Sequence, residues 1–334
     1  MKRHLLGLLA LAMLSWPGCE TRPSDNGGDT TNGGGSGGGT TDGGAATGGV
    51  PAERLQTTDF TYLGAFRLPD EFNWGALGLC CYPGGDGGAG SLLVTGFQSP
   101  YDSTHPGEAC WNAEWDCRAY FGEVTIPTPT VLSNWEDLPV ATLRNTMTSF
   151  DGGLVSTVNR EWTFVSDIEY VPRQGTQSSD KLYGSLNFWY AEGGVGENTF
   201  PTIWFANLDG TQTRGMFQVG PDSAPYHGRK MGAYLFTAPE WYADQYLGGR
   251  TLVTGRSRGT PRTGFEPVTT DGGSQGPTLF AFRPWDSDSP TGNLDALPVL
   301  YYRVAFPGCG GPNVGDPAQC DYPDFTMCDD WTGA

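Results

Sequence analysis

From residue 55 onward, short apolar runs alternate with turn-forming residues. Phe164-Val-Ser-Asp-Ile-Glu-Tyr-Val171, Lys181-Leu-Tyr-Gly-Ser-Leu-Asn-Phe188 and Pro201-Thr-Ile-Trp-Phe-Ala206 are rich in β-branched and aromatic residues. Each is bounded by Gly, Pro, Asn or Asp. That pattern predicts strands rather than helices. No amphipathic helix of useful length is predicted.

The runs recur in a fixed order. Trp74-Gly-Ala-Leu-Gly-Leu-Cys80, Leu92-Leu-Val-Thr-Gly96 and Ala119-Tyr-Phe-Gly-Glu-Val-Thr-Ile126 form a first block. Residues 164–206 form a second. Met231-Gly-Ala-Tyr-Leu-Phe-Thr237, Thr251-Leu-Val-Thr-Gly255 and Pro277-Thr-Leu-Phe-Ala-Phe282 form a third. Gly75-Ala76 and Gly232-Ala233 are 157 positions apart, and the two Leu-Val-Thr-Gly tetrapeptides are 159 apart. Pro201-Thr-Ile-Trp and Pro277-Thr-Leu-Phe are 76 apart, which makes the unit about half of the longer interval.

Repeats of three or four strands predict an all-β fold: a β-propeller-like array of antiparallel sheets, each shielded by its neighbours. A β-sandwich or a two-domain β protein is the alternative. Asp59–Leu68 reads as a strand of the kind that closes a propeller ring. Asp330-Trp-Thr-Gly-Ala334 repeats the opening of the first block. The expectation is therefore about three blades plus the start of another, with the array incomplete at the C-terminus.

The first fifty residues differ. Met1–His4 is basic, and Leu5–Leu14 is an apolar run too short to span a bilayer. Ser15-Trp-Pro-Gly-Cys19 follows, and it resembles a lipoprotein signal in which Cys19 is lipidated. Trp16 and Pro17 depart from that pattern, and ordinary cleavage to a soluble secreted protein is the alternative. Residues 20–50 form a Gly-rich tether with an r.m.s. reach of roughly 30 Å. The expected organisation is a signal peptide (1–19), a disordered tether (20–50) and a propeller-like domain (51–334). The domain is expected outside the cytoplasm, at the cell envelope or outer surface.

Charge and cysteine content narrow the partners. The net charge is −18, and loss of Lys2 and Arg3 with a signal peptide takes it to −20. Such a surface repels nucleic acid. Export makes disulfides plausible for the eight cysteines. Cys110 with Cys117, and Cys309 with Cys320, would close local loops. Cys80-Cys81 reads as a vicinal disulfide or as two separate partners, and Cys328 would bridge to one of them. A lipidated Cys19 leaves an odd number.

Phe60-Thr-Tyr-Leu-Gly-Ala-Phe-Arg-Leu-Pro69 and the repeated Leu-Val-Thr-Gly resemble uncharacterised exported bacterial propeller-like proteins. The resemblance brings no catalytic residues with it.

Candidate chemistry follows from position. In a propeller, ligands sit over the channel, on segments leading into the innermost strands. Those segments carry Trp74, Trp162, Arg229 and Trp331, a combination suited to a sugar: aromatic faces to stack on and charges to meet hydroxyls. Asp167 and Glu169 alternate on one strand face and suit an acid/base pair or a cation site. His227 beside Arg229 suits a general base with an anion clamp. Asp86, Asp151, Asp209 and Asp271 precede glycines. Structural calcium is one reading and plain turn chemistry the other. No metal-ligand spacing and no cofactor motif occur. The expected function is an envelope-anchored propeller that binds or scaffolds extracellular glycan or protein ligands. A propeller hydrolase or lyase acting on extracellular polysaccharide is the alternative.

Overall fold

The computed structural model describes residues 60–72, 76–96, 119–158, 163–188, 201–220, 232–256 and 278–300. They form three four-stranded antiparallel sheets, each in sequential strand order. Sheet 1 comprises β1 (Leu79–Tyr82), β2 (Ser91–Thr95), β3 (Tyr120–Val124) and β4 (Thr148–Ser149). Sheet 2 comprises β5 (Thr163–Val171), β6 (Lys181–Phe188), β7 (Ile203–Asn207) and β8 (Arg214–Phe217). Sheet 3 comprises β9 (Tyr234–Thr237), β10 (Leu252–Arg256), β11 (Thr278–Phe282) and β12 (Ala296–Leu300). Two short helices interrupt them, α1 (Leu154–Val158) and α2 (Glu240–Tyr246).

The expected all-β, three-sheet pattern is therefore present. Among the described residues the sheets form no closed ring. The register places Cys80 opposite Leu93, Ile168 opposite Gly184 and Leu235 opposite Thr254. A bulge between Val165 and Asp167 shifts the β5 register.

The apolar runs are continuous because each sheet buries both faces. Leu93 points toward sheet 2, while its neighbour Leu92 points away. Leu182 and Trp204 face sheet 1, while Tyr183 and Phe205 face sheet 3. One core therefore joins sheets 1 and 2 through Cys80, Phe121, Phe150, Ile168 and Trp204. A second joins sheets 2 and 3 through Tyr183, Phe205, Leu235, Phe280 and Phe282.

The two outermost faces are covered by local segments. Phe66, Leu68 and Phe72 pack over Leu92, Val94 and Val124 of sheet 1. On sheet 3, Ala243 and Leu247, from α2 and its C-terminal end, pack over Val253 and Ala281. This corrects the expectation for residues 59–68. The described part is no ring-closing strand but an extended segment lying on sheet 1. Its bridges are isolated ones, Ala65 to Thr130 and Arg67 to Val140. Gly64 has φ +130°, and a Cβ there would lie 2.5 Å from the Thr130 backbone, so this close approach requires glycine.

The first strands β1, β5 and β9 lie side by side, with β5 in the middle. This placement brings the candidate carboxyl groups to a junction of three sheets.

Candidate functional site

Strand β5 carries Asp167 and Glu169 two residues apart, on the side that meets sheet 3. Asp167 Oδ2 accepts the Leu235 N–H of β9 at 2.8 Å, and Oδ1 accepts the Ile168 N–H at 3.0 Å. The Leu79 N–H of β1 also bonds to this carboxyl. Gly78 makes the approach possible, because a Cβ there would stand 2.3 Å from the Asp167 Cα. Glu169 accepts the hydroxyl and the backbone N–H of Thr237 on β9. Both residues are half-buried.

Burial dominates their protonation. It raises Asp167 to about 7, against the opposing effect of the Leu235, Ile168 and Leu79 amides. Burial also raises Glu169 to about 8, with the nearby Asp167 charge adding to it. The buried Cys80 thiol is pushed well above its ordinary range by burial first, then by the Glu169 charge. Tyr170, next on β5, donates its hydroxyl to Asp180 Oδ2 at 2.7 Å and packs against Tyr82 with ring centroids 5.2 Å apart.

Asp167 and Glu169 are thus brought together and joined to two neighbouring sheets. Trp74, Trp162, His227, Arg229 and Trp331 lie outside the described residues, as do Cys19, Cys110, Cys117, Cys309, Cys320 and Cys328. The Cys80-Cys81 expectation needs correction. Cys81 is disulfide-bonded, whereas Cys80 is a free thiol. Strand alternation explains the split: Cys80 points into the core between sheets 1 and 2, and Cys81 points out from the other side.

The Asp-Gly turns have protein partners. Asp86 pairs with Arg144 Nη1 at 3.1 Å. Asp151 is buried and accepts from Ala119 N, Ser149 Oγ and Val155 N, which ties β3 to the start of α1. Asp209 accepts the Thr211 N–H and hydroxyl, which holds its carboxyl below the usual range. Asp271 lies outside the described residues. Among the described residues, no group of three or more His, Cys, Asp or Glu side chains is placed to hold a metal. An open depression lined by Glu71 and Leu143–Met147 contains none of the candidate residues.

Sequence reasoning missed one polar cluster. Lys181 is 1 % exposed. Its Nζ lies 2.8 Å from Asp288 Oδ1 and 2.6 Å from Asn207 Oδ1. The Lys181 hydrogen bond, seconded by Ser178, pulls the Asp288 carboxyl down to about 2. A lysine heading an apolar strand reads as a solvated end. The one available hint is that Lys181 shares a strand face with Tyr183.

Searches against protein-family profiles, curated proteins and solved structures found no match for this chain.

Proposed function

We propose that this chain is an exported, lipid-anchored, β-propeller-like protein that binds extracellular glycan or protein ligands at the cell envelope. The carrying observation is the adjacency of β1, β5 and β9, the first strands of three successive meanders. Gly78 and Leu235, at the heads of β1 and β9, both meet Asp167. The described heads of those strands are therefore drawn together, and in the sequence Trp74 precedes β1 while His227 and Arg229 precede β9. Aromatic faces and charges beside such strand heads suit a sugar ring.

The cysteine count accommodates the anchor. With Cys80 free and Cys19 acylated, six remain for disulfides: Cys81, Cys110, Cys117, Cys309, Cys320 and Cys328. That number is even, so Cys80 accounts for the odd thiol.

Binding is favoured over catalysis because Asp167 has both oxygens, and Glu169 its Oε1, engaged by neighbouring donors. One observation keeps the polysaccharide-cleaving reading: Asp167, at about 7, lies where a general acid or base works best. The test is a glycan array run beside a turnover screen on the full-length protein. Retention of an unaltered glycan supports binding. Turnover that Asp167→Asn abolishes, with folding intact, establishes the enzyme. Fatty-acid labelling that disappears in Cys19→Ser tests the anchor.

A further inference from the structure

We infer that Lys181 and Asn207 become joined by a covalent amide cross-link between β6 and β7, formed by the chain itself with Asp288 as the proton carrier. The inference rests on this cluster alone and requires neither a closed ring nor a ligand.

The strand register brings the reactants together. Lys181 and Asn207 are direct cross-strand partners, at the end of the β6–β7 pair away from residues 189–202. Lys181 is 1 % exposed and shares a sheet face with buried Tyr183, as Asn207 does with buried Phe205. The Lys181 Nζ lies 2.6 Å from Asn207 Oδ1. The carbon bonded to that oxygen, about 1.2 Å further on, is therefore at most about 3.8 Å from the amine. Reacting atoms in a near-attack arrangement stand roughly 3–3.5 Å apart. Ser179 Oγ reaches the same Asn207 oxygen at 3.1 Å. Main-chain bonds from Asn207 N to Thr211 O and from Gly210 N to Asn207 O fix the backbone behind the amide. Asp288 Oδ1 stands 2.8 Å from Nζ and is shielded from solvent, while the Ser178 N–H holds Asp288 Oδ2 at 3.1 Å.

The reaction balances without an outside reagent. Lys181 and Asp288 rest as an ammonium–carboxylate pair. One ammonium proton passes to Asp288, and the freed amine attacks Asn207 Cγ. The Nζ–Cγ bond forms and the carbonyl electron pair moves onto Oδ1, where the Ser179 hydroxyl meets the developing charge. Asp288 returns its proton to Nδ2, the Cγ–Nδ2 bond breaks and ammonia leaves as the carbonyl reforms. Asp288 then takes the spare proton from Nζ and passes it to the ammonia. The products are a secondary amide and ammonium, and nothing is oxidised or reduced. Asp288, at about 2, is a weak base, so the bond forms slowly. A reaction that each chain performs once tolerates that rate. The acid dependence of the Lys181–Asp288 pair belongs to the chain before the bond forms.

The experiment uses the full chain, fresh and after prolonged incubation, reduced and unfolded before digestion with trypsin. Arg173, Lys181 and Arg214 are successive trypsin sites, and an acylated lysine is not cut. Residues 174–214 should therefore emerge as one piece, lighter than their sequence mass by one ammonia. Further digestion with chymotrypsin should leave a branched peptide joining Lys181 to Asn207. Asp288→Asn should form the link roughly a hundredfold more slowly. Ordinary cleavage after Lys181 in the incubated parent overturns the inference, and so does loss of one water with a link to Asp288 instead. Formation at the parent rate in Asp288→Asn overturns the role of Asp288. If that variant fails to fold, the digest of the parent decides alone: the branched peptide supports the cross-link and its absence overturns it.

Discussion

The seam between sheets 1 and 2 and the seam between sheets 2 and 3 solve one problem by different chemistry. The first is mostly dry. Phe121, Phe150 and Trp204 pack edge to face or tilted, with centroids 5.2–5.3 Å apart. Its polar contacts include the Trp204 Nε1–H donated to the Phe150 carbonyl at 3.0 Å and the Leu79 N–H bonded to Asp167 at its edge. The second seam has an apolar centre but a polar border. Ser185 donates to the Gly232 carbonyl, Tyr183 accepts the Trp285 N–H and Thr176 bonds to the Asp286 carbonyl. The Lys181–Asp288 pair and the contacts of Asp167 and Glu169 with β9 complete it. A dry seam is set by volume and responds to size changes. A polar seam is set by protonation and charge, and responds to pH and salt.

The largest expected effect tests the dry seam. Trp204→Ala should cost about 3–5 kcal/mol, because a fully buried indole leaves a cavity and an unpartnered Phe150 carbonyl. Denaturant unfolding measures it, and the loss should be nearly independent of pH. Next comes overfilling. A Cβ at Gly184 would lie 2.2 Å from Trp204 Cζ2 and 2.8 Å from Phe150 Cε2, so Gly184→Ala should cost about 2–3 kcal/mol by the same measurement.

The polar seam is tested by acid. Asp288 has a depressed pKa, so its contribution is present above the ordinary carboxylate range and is lost as pH falls toward about 2. This is opposite in sign to the carboxyls of β5. The Tm should therefore pass through a maximum between these two limbs, and Lys181→Met should remove the acid limb alone. The smallest effect is expected from Thr237→Val. It removes a hydroxyl donated to Glu169 at a solvent-facing strand end, and should cost about 1 kcal/mol or less in thermal unfolding. Losing that donor should also move the Glu169 midpoint higher, which carboxyl 13C titration would detect. Equal pH profiles for all four variants would erase the distinction between the seams.

Much of the fold was legible because its signal is local. Lys181–Phe188 coincides with β6, and Thr251–Gly255 overlaps β10 by all but its first residue. The outer strands β8 and β12 were not anticipated. Arg214–Phe217 is short and partly exposed, and Ala296–Leu300 contains Pro298, which reads against a strand until an edge position admits it. Residues 60–68 have strand composition, but their pairing is set by contacts with Thr130 and Val140, more than sixty positions away. At the candidate site, the shared face of Asp167 and Glu169 was readable from the period of two. What they bond to was not, because the partners are main-chain amides whose identity depends on how sheets stack. The Lys181 cluster went unread for the same reason, since Asp288 reaches it from the connection between β11 and β12.

The opposite orientation of Cys80 and Cys81 bears on how a free thiol coexists with a disulfide-bonded neighbour. A thiol beside a disulfide is ordinarily a hazard, because its thiolate attacks and reshuffles the bond. Here Cys80 turns its sulfur toward the opposite face of the strand and is held in the protonated, unreactive form. Correct pairing is thereby guarded by geometry and acidity once sheets 1 and 2 have met. The interval before they meet is when scrambling has its opening.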